Sequence, residues 1–452
     1  MSYSAVILAA GKGVRMSSDL PKVVHRISGK PIIIHVVEAV INAGINELIV
    51  VVGHGQNKVR EVLADYPVNF VVQEEQLGTG HALMCAKTRI NHQHNLLVLA
   101  GDIPLLQTKT IKNLIDFHNT EVNDATVLST ILENPHGYGR IVRNDKEGFV
   151  KIVEEKDAIN EEKLIKEINS GIYCFQAGLA MQALDRLNTE NAQGEYYLTD
   201  ILEMLKLEEE RVGVLLTSEA TDVFGINDRV QLAEAQAIMY ARKNEELMRK
   251  GVTIVDPNST FIDKEVEIAS DTVVMPFTII EGKTVIGTNS EIGPYSRIND
   301  TLIGAGVIIE NSRIREAIIG DSCIIGPFAY IRPEAVLGAE VKVGDFVEIK
   351  KSKIGKGSKI PHLTYIGDTI MGENVNVGAG TITCNYDGYN KYETVLEDEV
   401  FIGSNTNLVA PVRIGKKAVT GAGSTITSDV PSNALALERA TPKIIKDWNN
   451  NK

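Results

Sequence analysis

The chain has 452 residues, of which 44% are hydrophobic, 5% aromatic and 23% charged, with a net charge of −13. Its length suits two large folding units or about three ordinary ones. The acidic balance excludes a general nucleic-acid surface or a polybasic membrane surface, while a local basic pocket for an anionic substrate stays open.

Residues 3–10 (YSAVILAA) form a continuous apolar run ending at Gly11-Lys12-Gly13, the pattern of a buried parallel strand entering a glycine loop. Helical spacing over 32–43 stops at Gly44, and further strands are predicted over 47–52, 68–73 and 95–100, with helices over 56–64 and 79–87 between them. This alternation predicts a doubly wound, Rossmann-like α/β domain. Ligands in such sheets bind beyond the carboxyl ends of the strands, which is where Gly11, Arg15, Gly101 and Asp102 fall. Strands over 126–132, 139–143, 150–154 and 170–175 and a helix over 197–207 follow. Residues 229–250 contain no glycine or proline; Asp228 suits the N-cap, Gly251 the terminator, and Val230, Ala233, Ala237, Ala241 and Met248 keep helical spacing.

From about 252 to 429 an aliphatic residue followed by glycine keeps returning, as in Ile286-Gly287, Ile292-Gly293, Ile319-Gly320, Ile325-Gly326, Leu337-Gly338, Val343-Gly344, Ile402-Gly403 and Ile414-Gly415, many steps being six or twelve residues. That period fits a hexapeptide β-helix, in which each short strand buries one aliphatic side chain inside a prism. Glycine suits the corners, through positive φ or close backbone approach. Three hexapeptides per coil would give roughly ten coils and a rod on the order of 50 Å. The expected organisation is therefore 1–228, a connecting helix over 229–250, and the repeat domain with its tail over 251–452.

Residues 8–16 (LAAGKGVRM), with Pro21-Lys22 a few residues on, lack both the Walker A spacing and the dinucleotide glycine pattern. Glycines that admit backbone N–H groups to phosphate oxygens, with Arg15 and Lys22 to neutralise charge, nevertheless favour phosphate binding. This stretch resembles the signature of the sugar-nucleotide pyrophosphorylases. Gln73, Leu77-Gly78-Thr79, Gly101-Asp102-Ile103-Pro104, Gly137-Tyr138-Gly139-Arg140, Glu154-Glu155-Lys156-Asp157, Asn169-Ser170-Gly171 and Gly225-Ile226-Asn227 add to the match. With the hexapeptide rod behind them, the whole chain resembles the bacterial family of bifunctional N-acetylglucosamine-1-phosphate uridylyltransferases and glucosamine-1-phosphate N-acetyltransferases.

The resemblance implies a left-handed parallel β-helix behind the nucleotidyltransferase domain, and two reactions. In the first domain, Leu8, Ala9, Ala10, Gly11 and Lys22 would bind UTP, with Gln73, Gly78 and Thr79 on the uracil nucleotide and Gly139, Glu154 and Asn169 on the sugar. Asp102 and Asn227 would hold Mg2+, and Arg15 and Lys22 would stabilise phosphate charge during transfer. Two protein ligands suffice for a hard cation when phosphates supply others.

On the rod, Arg332, Lys350 and His362 stand 18 and 12 residues apart, which regular coils would project from equivalent faces. Two cations near a histidine suit an anionic sugar phosphate, and an imidazole can take a proton from an attacking amine. His362 is thus the expected general base, acetyl-CoA the acyl donor, and backbone amides near Ala379 the oxyanion site. The resemblance implies that Arg332, Lys350, Tyr365, Asn376 and Lys391 contact the sugar phosphate. It also implies that Asn385, Tyr386, Ser404, Ala422 and Arg439 line the CoA site, and that rods assemble as a homotrimer in which neighbours complete each site. The interval from Gly378 to Gly403 is no multiple of six, so residues 385–399 are expected to hold an inserted loop. Val14 and Pro361 depart from the family's usual residues.

Four cysteines, Cys85, Cys174, Cys323 and Cys384, show neither zinc spacing nor a disulfide framework. Direct acetyl transfer ranks ahead of a route through Cys384. No stretch suggests membrane insertion or a signal peptide, so a cytoplasmic enzyme is expected. The alternatives are a single-activity sugar-1-phosphate nucleotidyltransferase with a regulatory or oligomerising β-helix, and a non-catalytic scaffold of the same folds.

Overall fold

The computed structural model describes residues 2–146 and 148–451 and divides into two compact units, Met1–Met239 and Tyr240–Lys452. In the first unit the strands lie in the order Val212–Leu216, Ala125–Ile131, Glu167–Gln176, Asn95–Ala100, Tyr3–Ala9, Glu47–Val52, Val68–Val72. The last four are mutually parallel, and Ala5, Val6 and Ile7 of Tyr3–Ala9 are all fully buried, as expected of a strand covered on both faces. Glu167–Gln176 runs antiparallel to both neighbours, so the sheet is mixed.

The elements of this unit that were not anticipated include the helices Thr108–Thr120 and Ala177–Leu184, the strand Val212–Leu216 and the short hairpin Arg26–Ile27 with Lys30–Pro31. Thr108–Thr120 buries Ile111 and Leu114 within a mostly polar sequence, too few apolar positions to set a period. Glu167–Gln176 begins three residues before its predicted start, and its pairing shifts register between Asn169 and Tyr173. Such a bulge bends a strand and re-aims a side chain. Here it falls at Asn169, and Gly171 supplies the positive φ of 74°.

The second unit is a left-handed prism of three parallel sheets with 11, 10 and 9 short strands. At about 4.8 Å per strand, eleven strands span roughly 50 Å. Most strands expose one residue and bury the next, so that Ile268, Ile286, Ile303, Ile319, Leu337, Ile354, Met371, Leu396 and Ile414 form one column inside the prism. Glycine follows many of these because adjacent coils touch there. A Cβ at Gly344 would meet Pro361 O at 1.9 Å, although its φ is not positive.

Coils vary in length. Val273 pairs with Glu291, Glu291 with Ile308, Ile308 with Ile324, and Ile324 with Lys342. The long interval lies between Asn376 and its partner Phe401. The insertion is shorter than expected, because Thr394–Leu396 is a regular strand paired with Thr369–Met371 and Val412–Ile414.

The helix Arg229–Arg249 contains the boundary between the two units. Asp228 caps it by accepting from Gln231 N at 2.9 Å, and Val252 N returns to Leu247 O at 3.1 Å past Gly251, closing a Schellman motif. Its buried residues are Ala235, Met239, Lys243, Asn244 and Leu247, whereas Val230, Ala233, Ala237, Ala241 and Met248 are exposed. Alanine favours a helix on any face. The true buried stripe is masked by Asn244, whose amide donates to Pro257 O at 3.0 Å and Thr260 O at 2.9 Å. Among the described residues, no helix is long and apolar enough to cross a membrane.

Candidate active sites

In the first unit, the carboxyl ends of the parallel strands open onto a cavity of about 440 Å³ lined by Leu8, Ala9, Ala10, Gly11, Lys22 and Gln73, with Gly78, Thr79, Asp102, Glu154 and Asn169; of the predicted set, Arg15, Gly139 and Asn227 lie outside its lining. The glycine loop closes tightly on Lys22. Gly13 has φ 61°, and a Cβ there would meet Lys22 Cβ at 2.6 Å, so only glycine lets the loop pack against the lysine stem. Val14 points away, 80% exposed, so its lack of a hydroxyl leaves no gap in the packed loop.

Lys22 Nζ forms an ion pair with Asp102 and donates to Asn227 Oδ1 at 3.3 Å; Arg15 donates to the same Asn227 oxygen at 2.9 Å. A carboxylate and an amide oxygen, carried by loops far apart in sequence, thus converge on one cationic group. Such hard oxygen donors fit Mg2+.

The other predicted residues gather around the cavity. Gln73 is 3% exposed; its amide donates to Gly78 O at 3.1 Å and lies 3.1 Å from His81 Nδ1, leaving its carbonyl oxygen as the acceptor. Gly139 O accepts from Asn169 N at 2.9 Å, and a Cβ on Gly139 would stand 3.3 Å from Glu154 Oε2. Arg140, 2% exposed, ties this loop to Glu155 at 2.7 Å. Burial holds the Glu154 carboxyl above the ordinary carboxylate range, with Thr199 Oγ1 donating to it at 3.2 Å. Thr199, Gln76, Tyr173 and Glu195 also line the cavity and were not anticipated. They lie outside recognisable motifs and enter the wall only through the fold.

On the rod, register brings the predicted residues into two columns. Asp345 pairs with His362. Carrying the pairings of the next coils forward stacks His362, Ala379, Ser404 and Ala422 along one corner. Arg439 Nε reaches this corner by donating to Ala422 O at 3.2 Å. At the far end of the adjoining face, Arg332 flanks Lys350, and Lys350 pairs with Gly367. His362 therefore stands on a different sheet from Arg332 and Lys350. Eighteen residues complete a coil, whereas twelve complete two thirds of one and lead to another face.

The cationic column is well held. Arg332 binds Glu348 at 2.6 Å, and Lys350 binds Asp368 at 3.2 Å. Asn385 donates to Asp368 at 2.5 Å, which puts it with this cluster and not on the corner that carries Ser404 and Ala422. A Cβ on Gly367 would meet Tyr365 Oη at 2.3 Å and Asn385 Nδ2 at 2.8 Å, so glycine leaves room for both side chains. Lys391, at the base of the inserted loop, bridges back to Tyr386. Contact with Lys350 and its like charge hold the Lys391 ammonium below the ordinary lysine value, whereas on Lys350 the bonds to Lys391 and Asp368 outweigh burial and raise it. Asn376 lies on the sheet of His362, paired with Lys359 and Phe401, and not on the sheet that carries Arg332 and Lys350.

His362 Nδ1 lies 2.8 Å from Asp345 Oδ1. Asp345 was not anticipated, because it precedes His362 by a coil of seventeen residues and escapes any count in sixes. Pro361 costs the ladder one donor. Its strand pairs with the next coil only through Lys359 and Asn376, while the pairing below extends to His362. Burial pushes the Cys384 thiol up, and its recorded contact is Ile382 O at 3.9 Å, an environment unsuited to a thiolate nucleophile.

A phosphate-binding loop at a sheet end, followed by a hexapeptide prism with a histidine edge, defines a sugar-1-phosphate nucleotidyltransferase joined to a hexapeptide acyltransferase. Residues 5–145 match the MobA-like NTP transferase domain, and residues 258–354 the GMPPB C-terminal domain. The chain is 60% identical over 443 residues to the bifunctional protein GlmU of Syntrophomonas wolfei, covering 98% of this chain and 99% of that one. It is 53% identical to that of Carboxydothermus hydrogenoformans, covering 96% and 97%, and 47% identical to that of Clostridioides difficile, covering 99% and 97%. The chain belongs to the GlmU family. It is a bifunctional enzyme of UDP-N-acetylglucosamine synthesis, with uridylyltransferase and acetyltransferase activities on nucleotide and acetyl-CoA substrates.

Proposed function

We propose that the rod unit acetylates glucosamine-1-phosphate and that the α/β unit then couples the product to UMP from UTP, both in the cytoplasm. The observation that carries this division is the pair of separate constellations: oxygen donors around Lys22 beside the glycine loop, and the His362 corner beside paired cations. In the first unit, Asp102 and Asn227 hold Mg2+, which supplies charge neutralisation on the phosphates when bound. Backbone amides of the loop at Gly11 cradle phosphate oxygens, and Arg15 and Lys22 take up charge as pyrophosphate leaves. Gln73 offers its carbonyl oxygen to the uracil N–H. Glu154 and Asn169 fix the sugar, so positioning does most of the work.

On the rod, Lys350, held by Asp368, and Lys391 at the base of the inserted loop offer cationic partners to a phosphate dianion. Arg332, Tyr365 and Asn376 complete the acceptor site. The amine nitrogen attacks the thioester carbonyl; a C–N bond forms and the C–S bond breaks. His362 takes the amine proton and returns it to the departing CoA thiolate. An amide near Ala379 receives the oxyanion, and the corner through Ser404 and Ala422 to Arg439 carries the CoA, with Tyr386 reaching it from the inserted loop.

The same corner supports a homotrimer. Phe277 stacks on Tyr295 at 5.1 Å and Phe328 on Phe346 at 5.2 Å, all four more than half exposed. Leu363, 61% exposed, continues this edge beside His362. A second copy covering it would close over the acetyl-transfer site. The test is a paired assay: His362→Ala should abolish thiol release from acetyl-CoA yet keep pyrophosphate release from UTP, and Asp102→Ala should do the reverse. Loss of both activities in either variant would sink the division of labour.

A further inference from the structure

We infer that Asp345 is a positioning residue for acetyl transfer, which fixes the His362 ring and its tautomer and supports the positive charge the ring acquires. The inference rests on His362 being the base. An ionised carboxylate only accepts hydrogen bonds, so the 2.8 Å contact between Asp345 Oδ1 and His362 Nδ1 puts the ring proton on Nδ1 and leaves the lone pair on Nε2. Nε2 is then the atom that receives the amine proton, and the neighbouring carboxylate lowers the energy of the imidazolium that results.

The backbone holds this pair. Asp345 and His362 are direct register partners, Leu363 N donates to Asp345 O at 2.9 Å, and Thr364 Oγ1 donates to His362 O at 2.6 Å. Gly344, just before Asp345, lets the two coils approach closely, since a Cβ there would overlap Pro361 O. Other charges around the ring are accounted for. The coil on the other side turns this corner as Gly378-Ala379-Gly380, which has no titratable side chain. Lys359 sits three residues earlier on the ring's own strand, Glu348 on the adjoining face is taken by Arg332, and Lys350 is taken by Asp368. The bond to His362 is the first cause holding the Asp345 carboxyl below the ordinary aspartate range, so it is ionised at working pH. The side chains are 56% and 41% exposed, so solvent screens the pair and its effect is moderate.

The test measures thiol release against pH for the full chain with glucosamine-1-phosphate and acetyl-CoA. Asp345→Asn keeps the size of the group and can still accept from Nδ1, but it removes the charge. It should lower kcat about tenfold with KM for both substrates unchanged, less than a full acid–base contribution because Asp345 acts through the ring, while Asp345→Ala should lose about a hundredfold, the lower end of that contribution. Without the carboxylate the imidazolium is less stable, so the acid limb of the Asn variant should move to lower pH. Pyrophosphate release from UTP should be unaffected in both variants, which reports an intact fold. Unchanged kcat in both variants, with His362→Ala inactive, would overturn the role of Asp345 and leave that of His362 standing. A loss of kcat with an unmoved acid limb would also overturn it, marking Asp345 as structural only. Full thiol release by His362→Ala would instead remove the reading on which the inference rests.

Discussion

Lys22 faces both the phosphate loop and the oxygen donors of the candidate metal site. In the proposed reaction its ammonium neutralises phosphate charge, yet in the structure it is bonded to Asp102 and Asn227, the oxygens that would take Mg2+. Cation and lysine compete for one donor set, so metal entry requires the lysine to turn toward phosphate. Lys22→Ala should therefore bind free Mn2+ more tightly than the wild type by titration calorimetry without nucleotide, while its UTP turnover falls about a hundredfold, the scale of losing one charge-stabilising donor. Unchanged or weaker Mn2+ binding would show that the lysine does not guard the site. Lys22, Asp102 and Asn227 were legible because each lies in a short motif whose residues suit phosphate or metal. The partners that orient Glu154, Gln73 and His362 were not. Thr199, His81 and Asp345 carry no local pattern, and only the pairing of distant strands and coils brings them to the site.

At the scale of elements, the strands of the α/β unit were legible because continuous apolar runs mark burial on both faces. The rod was legible through its aliphatic–glycine beat. The lengths of its coils were not, because corners accept one residue more or less without disturbing the buried column. The helix Arg229–Arg249 shows the opposite failure: its ends were clear from Asp228 and Gly251, but its buried face was hidden by a polar residue that finds backbone partners inside. The helix Asp200–Leu207 carries a pH-dependent cost. Burial, then the charges of Glu203 and Asp157, push the Asp200 carboxyl from 3.8 up to about 6. This outweighs the favourable pull of the helix N-terminus on an acidic residue in its first turn. A carboxyl raised in the folded state binds its proton more tightly there than in the unfolded chain. Its stabilising contribution is complete below about 4 and lost as pH rises through about 6. Asp200→Asn should therefore raise Tm at pH 7.5, and the difference should shrink steadily as pH falls through 6 towards 4. A Tm difference that stays constant across that range would refute the assignment.

At the scale of the whole molecule, the two candidate sites lie in separate compact units, each with its own core, so mutations should be able to disturb the two activities independently. The assembly is where they should differ. The exposed aromatic ladder at the rod corner ends beside His362, whereas the nucleotide cavity is lined entirely by residues of its own α/β unit. A hydrophobic edge of this length on a lone rod would face water, and covering it with a second copy removes that cost. Phe346, 58% exposed and stacked on Phe328, tests the point, because a charge there burdens a subunit contact while leaving the prism interior untouched. Phe346→Glu should sediment as a lighter species than the wild type and lose most of its thiol release, with circular dichroism and pyrophosphate release unchanged. If it sediments as the wild type does and acetylates at the wild-type rate, this edge is not a subunit contact. If it dissociates yet acetylates normally, each rod carries a complete site, and neighbouring subunits contribute nothing to the chemistry at His362.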